Sequence, residues 1–187
     1  MTERLLPTPS HTIGPFYGHA LPFPDGGRVA PQGRPDAITL HGHVYDGEGR
    51  TVPDALLDFW QAAPDGSVTG APGSMRRDPS TGGFAGRDGV GFTGFGRVPT
   101  DADGHYALHT LMPGNAGLPY ISVCVFARGL THHLFTRAYL ADGTDPLLDA
   151  LPAGRRGTLL AAGGPHRTYR FDIRLQGEGE TVFLEFT

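Results

Sequence analysis

The chain has 187 residues, 39% of them apolar, and a formal net charge of -4, a size that folds as one domain and buries roughly 70% of its unfolded surface without staples. All 15 basic residues are arginine, yet the 19 acids outnumber them, which excludes nucleic acid as the main partner. A single cysteine excludes an internal disulfide framework, and no apolar run reaches the length of a signal-peptide core or a membrane span, so a soluble, cytoplasmic protein is expected.

The first elements in chain order are irregular. Residues 1–37 show no sustained periodicity and are expected to form an extended N-terminal arm, with a sandwich over 38–187 and both parts in one domain, 1–187. Strands are predicted at 38–46, 55–63, 105–111, 120–128, 136–140, 169–176 and 180–186, short runs rich in β-branched and aromatic residues. Asp65-Gly66, Asp103-Gly104 and the glycines around Glu48 and Glu178 supply the turns between them. The segment 64–96 is glycine-rich and irregular. With Phe84, Phe92 and Phe95 in that loop, and Phe16, Tyr17 and Phe23 in the arm, both carry too much aromatic surface for a solvated linker and are expected to pack. One short helix is predicted over 145–151, started by Pro146. The fold class is therefore all-β, an antiparallel β-sandwich of about eight strands with long loops.

Strand 120–128 divides between two faces. Ile121, Val123, Val125 and Ala127 form an apolar side, whereas Tyr120, Ser122, Cys124, Phe126 and Arg128 form a mixed one. Other candidates for chemistry are weak. His41 and His43 share a strand face and would supply two metal ligands, but a site needs more. His105 and His109 lie about 13 Å apart at strand rise, and His132 and His133 point to opposite faces. There is no GxSxG elbow, and the glycine-rich stretch 82–96 lacks the ending of a phosphate loop. Asp101 and Asp103 belong to a turn, since the other oxygen ligands of a calcium loop are missing. Two readings of the residues stay open: a self-sufficient metalloenzyme using His41 and His43, and a noncatalytic transthyretin-like β-sandwich binding module, which YDGEGRTVPDA and TDADGHYAL would suit.

A third reading comes from longer phrases. TPSHTIGPF, HGHVYDGEG, LLDFWQAAPDG, FGRVPTDADGHYALHTLMPG, ISVCVFARG and YRFDIRLQGEGETVFLEF resemble the intradiol ring-cleavage dioxygenases, non-haem iron(III) enzymes that split catechols between their hydroxyls. The family holds its iron with two tyrosines and two histidines, and none of the four is matched. Val68, eight residues after Trp60, replaces the first tyrosine; the insertion that carries the second is missing between Gly114 and Pro119; Tyr120 and Ser122 stand at the histidine pair. The resemblance thus implies a subunit with no catalytic or metal-binding residues of its own, whose Fe(III) is bound by a homologous beta subunit in an αβ protomer of a higher oligomer. It also implies that Thr12, Gly14, Pro15 and Phe16 of the arm, with Arg128, help wall the substrate pocket. The implied substrate is a small catechol with a carboxylate opposite the ring hydroxyls, cleaved with O2. Arg137 is the competing arginine for that pocket, a salt bridge within the sandwich being the more ordinary role; Arg167, Arg170 and Arg174 share that structural expectation.

Overall fold

The alternation in 120–128 appears in the computed structural model as a strand buried on one side only. The structure describes residues 11, 12, 14, 16–69, 75–88, 90–114 and 116–186. In chain order the strands are β1 (Ile38–Tyr45), β2 (Leu56–Trp60), β3 (Arg76–Arg77), β4 (Phe84–Gly86), β5 (Phe95–Pro99), β6 (His105–Thr110), β7 (Tyr120–Phe126), β8 (Leu134–Tyr139), β9 (Ala162–Gly163), β10 (Thr168–Arg170) and β11 (Ile173–Arg174). Three helices of one turn accompany them: α1 (Tyr17–Ala20), α2 (Pro146–Asp149) and α3 (Ala153–Arg156).

Two sheets dominate. One has the order β5-β2-β7-β8 and is antiparallel throughout; the other centres on β1, with β6 antiparallel along one edge and β10 and β11 parallel along the other. The β-sandwich expectation holds, with these parallel contacts added to it. Leu57, Phe59, Ile121, Val123 and Val125 from the first sheet share one hydrophobic cluster with Ile38, Leu40, Val44, Tyr106 and Leu108 from the second. Period-two burial along β1, β6 and β7 explains why each strand takes its face: a one-residue slip would send every one of these side chains to water. No helix among the described residues is long and apolar enough to cross a membrane.

Three differences from the sequence reading have physical causes. Strand β5 lay unseen among glycines, yet Gly96 belongs there because an added Cβ would come within 2.6 Å of the Leu108 side chain. The expected strand 169–176 is split into β10 and β11, which keep one continuous register against β1. The break falls opposite Gly42, where a Cβ would lie 2.0 Å from the Phe171 carbonyl oxygen. The expected strand 180–186 does not form. Thr181 bonds Arg174 while Leu184 bonds Phe135, so the segment crosses between partners and builds no ladder.

Helix α2 follows its sequence signal. The Asp145 carboxylate accepts from the Leu147 and Leu148 amides, Pro146 occupies the first turn, and the helix ends before Pro152. Most of the aromatic residues expected to pack do so: Tyr17 and Phe23 are buried, Phe23 stacks on Phe84 with ring centroids 4.8 Å apart, and the Arg87 guanidinium lies over the Phe23 ring, but Phe16 stays exposed.

Candidate functional site

The outward side of the β5-β2-β7-β8 sheet carries a cleft of about 560 Å³. Strand register builds it: Trp60 pairs with Ser122 and with Phe95, Asp58 with Cys124 and Arg97, and Ser122 with Arg137, so these side chains meet on one surface. Val68, Tyr120 and Ser122, the three positions where the resemblance would place iron ligands, all line this cleft. They do not fit a ferric ion. Valine has no donor atom, the serine hydroxyl is a poor ligand, and the Tyr120 ring is covered by the Arg137 guanidinium, 4.3 Å from its centroid.

Most of the remaining polar groups in the cleft are already engaged or inert. Arg97 grips Asp58 through two hydrogen bonds of 2.7 and 2.8 Å. Burial, with Asp58 beside it, pushes the Cys124 thiol up to about 12, so this half-buried cysteine is no nucleophile at neutral pH. Gln61 donates to the Leu111 carbonyl and accepts from Thr110. Among the described residues Arg137 has no carboxylate partner for the salt bridge that its position in a sandwich led us to expect. Its Nη1 donates to the Tyr139 hydroxyl at 3.2 Å, and that hydroxyl donates in turn to Asp145.

A second cleft, of about 360 Å³, lies past the C-terminal end of β7. Arg128 lines it together with Tyr17, Gly18 and His19 of the arm and Asp54 before β2. Asp54 ties the two parts together. Its carbonyl accepts from the Tyr17 hydroxyl, and one carboxylate oxygen accepts from Arg128 Nε at 2.7 Å and Nη2 at 2.5 Å. Burial, reinforced by Asp54, raises the Tyr17 pKa, so the phenol stays protonated and donates. The structure thus brings Arg128 to the arm. Thr12 is exposed and its hydroxyl accepts from the Gly14 amide at 3.4 Å; Gly14 adopts φ of 81°, a conformation that favours glycine. Phe16 is 73% exposed at the start of α1, and Pro15 lies outside the described residues. Sequence reasoning missed Tyr17 as a site residue, because a lone tyrosine in an arm carries no motif.

On the outer face of the β1 sheet, His41, His43 and His105 form a cluster that the sequence only half showed. His105 Nε2 is 3.4 Å from His41 Nδ1, and the His43 and His105 rings lie 5.0 Å apart. Burial and then the neighbouring His105 lower the His41 pKa. Among the described residues no group of three or more histidine, cysteine or acidic side chains is arranged to hold a metal ion. Asp101 is used by its turn, accepting from the Asp103 and His105 amides at 2.9 Å each.

A two-sheet β-sandwich whose outer cleft and strand phrases follow this pattern defines a class. The family profile described as Dioxygenase matches residues 13–135, and the chain belongs to the intradiol ring-cleavage dioxygenases. It is 38% identical over 205 residues to the protocatechuate 3,4-dioxygenase alpha chain of Burkholderia cepacia, covering 97% of this chain and 98% of that one. The beta chain of the same enzyme is 27% identical over 168 residues, covering 78% of this chain and 67% of the other. Among solved structures, the dioxygenase domain of a dioxygenase carbohydrate-binding protein fusion from Streptomyces sp. SirexAA-E superposes with a TM-score of 0.56 at 26% identity, over 91% of this chain and 99% of that one. Family membership decides among the open readings in favour of the dioxygenase one.

Proposed function

We propose that this chain is the alpha, non-iron-binding subunit of protocatechuate 3,4-dioxygenase. The reaction breaks the C3–C4 bond of 3,4-dihydroxybenzoate and adds both atoms of O2, giving 3-carboxy-cis,cis-muconate. A homologous beta subunit holds the Fe(III), which supplies the activation of the bound catecholate, within an αβ protomer of a larger oligomer. The observation that carries this reading is the donor set of the outer cleft: the places that call for iron ligands hold Val68 and Ser122.

The chain's own part is placement and exclusion of water. Arg128 lies just past the end of β7 (Tyr120–Phe126), about 20 Å along the strand direction from Ser122, too far to serve the outer cleft. In the proposed assembly its guanidinium would face a site completed by another chain. Both of its bonds to Asp54 fall on one carboxylate oxygen, which fixes the plane and, among the described residues, leaves Nη1 to meet the substrate carboxylate. Gly14 and Pro15 would bring the arm's backbone against the substrate ring, and Thr12 and Phe16 would add a donor and an apolar wall. The exposed Phe16 ring supports a partner that covers the arm. We place the enzyme in the cytoplasm and treat 1–187 as a single domain with its arm over 1–37.

Co-expression with the homologous iron-bearing chain tests this directly. One iron per αβ pair and none on this chain alone is expected; stoichiometric iron on this chain alone would overturn the reading. In the assembled enzyme, Arg128→Ala should raise KM for 3,4-dihydroxybenzoate about tenfold, the loss of one charge-assisted contact. An unchanged KM would make Arg128 a purely structural residue.

A further inference from the structure

The proposed assembly gives no task to Arg137, although this guanidinium is the available charge in the outer cleft. Asp58 and Arg97 face the same region, but they neutralise each other through two hydrogen bonds. Arg137 is held from two sides by phenols, stacked on Tyr120 and bonded to the Tyr139 hydroxyl. Among the described residues no carboxylate lies within ion-pair distance of it, and Asp145 enters the network only through Tyr139. Around this cation stand the rings of Trp60, Phe95, Phe135 and Phe186. Phe186 meets Phe135 edge-on at 5.3 Å and forms part of the rim.

We propose that this cleft binds an aromatic monocarboxylate, its ring between the aromatic walls and its carboxylate on the free edge of the Arg137 guanidinium. The volume of about 560 Å³ accepts one substituted benzene ring. One unpaired cation matches one carboxylate, whereas a second anionic group would sit among apolar walls with no partner. Guanidinium geometry favours a planar, bidentate anion, and its contacts with Tyr120 and Tyr139 hold it in place, so little rotamer freedom is lost on binding. The ligand is held and not transformed: Cys124 stays a thiol there, and Ser122 has no histidine to take its proton. This inference concerns this chain's residues alone and stands apart from where any iron is bound.

Trp60 is the single tryptophan of the chain and lines the cleft, which makes it a reporter. The experiment titrates 4-hydroxybenzoate, and separately its neutral amide 4-hydroxybenzamide, into the purified full chain with whatever partner co-purifies. The Trp60 signal is the part of the fluorescence change lost in Trp60→Phe. Saturable quenching by the acid, with at least tenfold weaker binding of the amide, is expected. Arg137→Met should weaken acid binding at least tenfold. Because Arg137 also braces Tyr139, a second variant guards against misfolding: Val68 is 68% exposed at the cleft, and Val68→Phe should block entry without touching the core or adding a second tryptophan. Absence of a Trp60-dependent signal, equal affinity for acid and amide, or unimpaired binding by Val68→Phe would each overturn the proposal.

Discussion

Single residues decide which chemistry each face can support, and His41 shows this through its environment. It projects from the solvent side of β1, where His43, His105, Arg170 and Asp172 surround it, and burial with His105 depresses its pKa below 6.5. A depressed histidine pKa means that the unfolded chain takes up the proton first as pH falls. Its contribution to stability is therefore complete above pH 6.5 and is lost as pH drops from 6.5 toward the lower folded-state value. Urea midpoints at about pH 7.5 and about pH 5.5 should show this decline, and His41→Gln should flatten it. An equal decline in the variant would assign the effect to other groups. The outer cleft is governed at the same scale: Val68 and Ser122 remove metal ligation, and Arg137 puts a fixed positive charge across the register from Ser122.

At the level of elements, legibility followed the range of the interaction. Strands β1, β2, β6, β7 and β8 were visible because one-sided burial writes itself as alternation, and α2 was visible because Asp145 and Pro146 start it locally. Strand β5 was hidden because its one glycine, Gly96, answers to Leu108 on the following strand rather than to any pattern within β5. The parallel edge was hidden for a related reason: nothing near Thr168 says that it will lie beside Thr39. Of the candidate site, the two faces of β7 were legible, and the functions of its outer face entered only through family resemblance. The meeting of Arg137 with Tyr120 is a cross-strand event that no local pattern encodes. Gly42 is where this long-range order is most exposed to test. A methyl group there would lie 2.0 Å from the Phe171 carbonyl oxygen, forcing β10 and β11 away from β1. Gly42→Ala should lower unfolding free energy by about 2–3 kcal/mol in urea melts. Gly163→Ala, where an added Cβ meets nothing within 4 Å, should stay within about 0.5 kcal/mol.

Across the whole molecule, β7 links two clefts of different character. Its start contributes Tyr120 and Ser122 to an aromatic space on this chain, and just past its end Arg128 meets the arm. That second place depends on a junction of three segments, since Asp54 holds both Arg128 and Tyr17. The arm is anchored a second time where Phe23 stacks on Phe84. Under the proposed function, anchoring at both points would steady the arm beside Arg128, as a pocket shared with a partner requires. Tyr17→Phe removes only the phenol bond and keeps the buried ring, so it should cost about 1 kcal/mol and leave the sandwich unchanged. Amide exchange in the αβ enzyme should quicken over residues 17–21 but not over β1 or β7. Under the proposed function KM for 3,4-dihydroxybenzoate should rise with it, because the arm that walls the pocket has loosened. Faster exchange with an unchanged KM would separate arm anchoring from substrate placement; unchanged exchange would leave the Phe23–Phe84 stack as the arm's effective anchor.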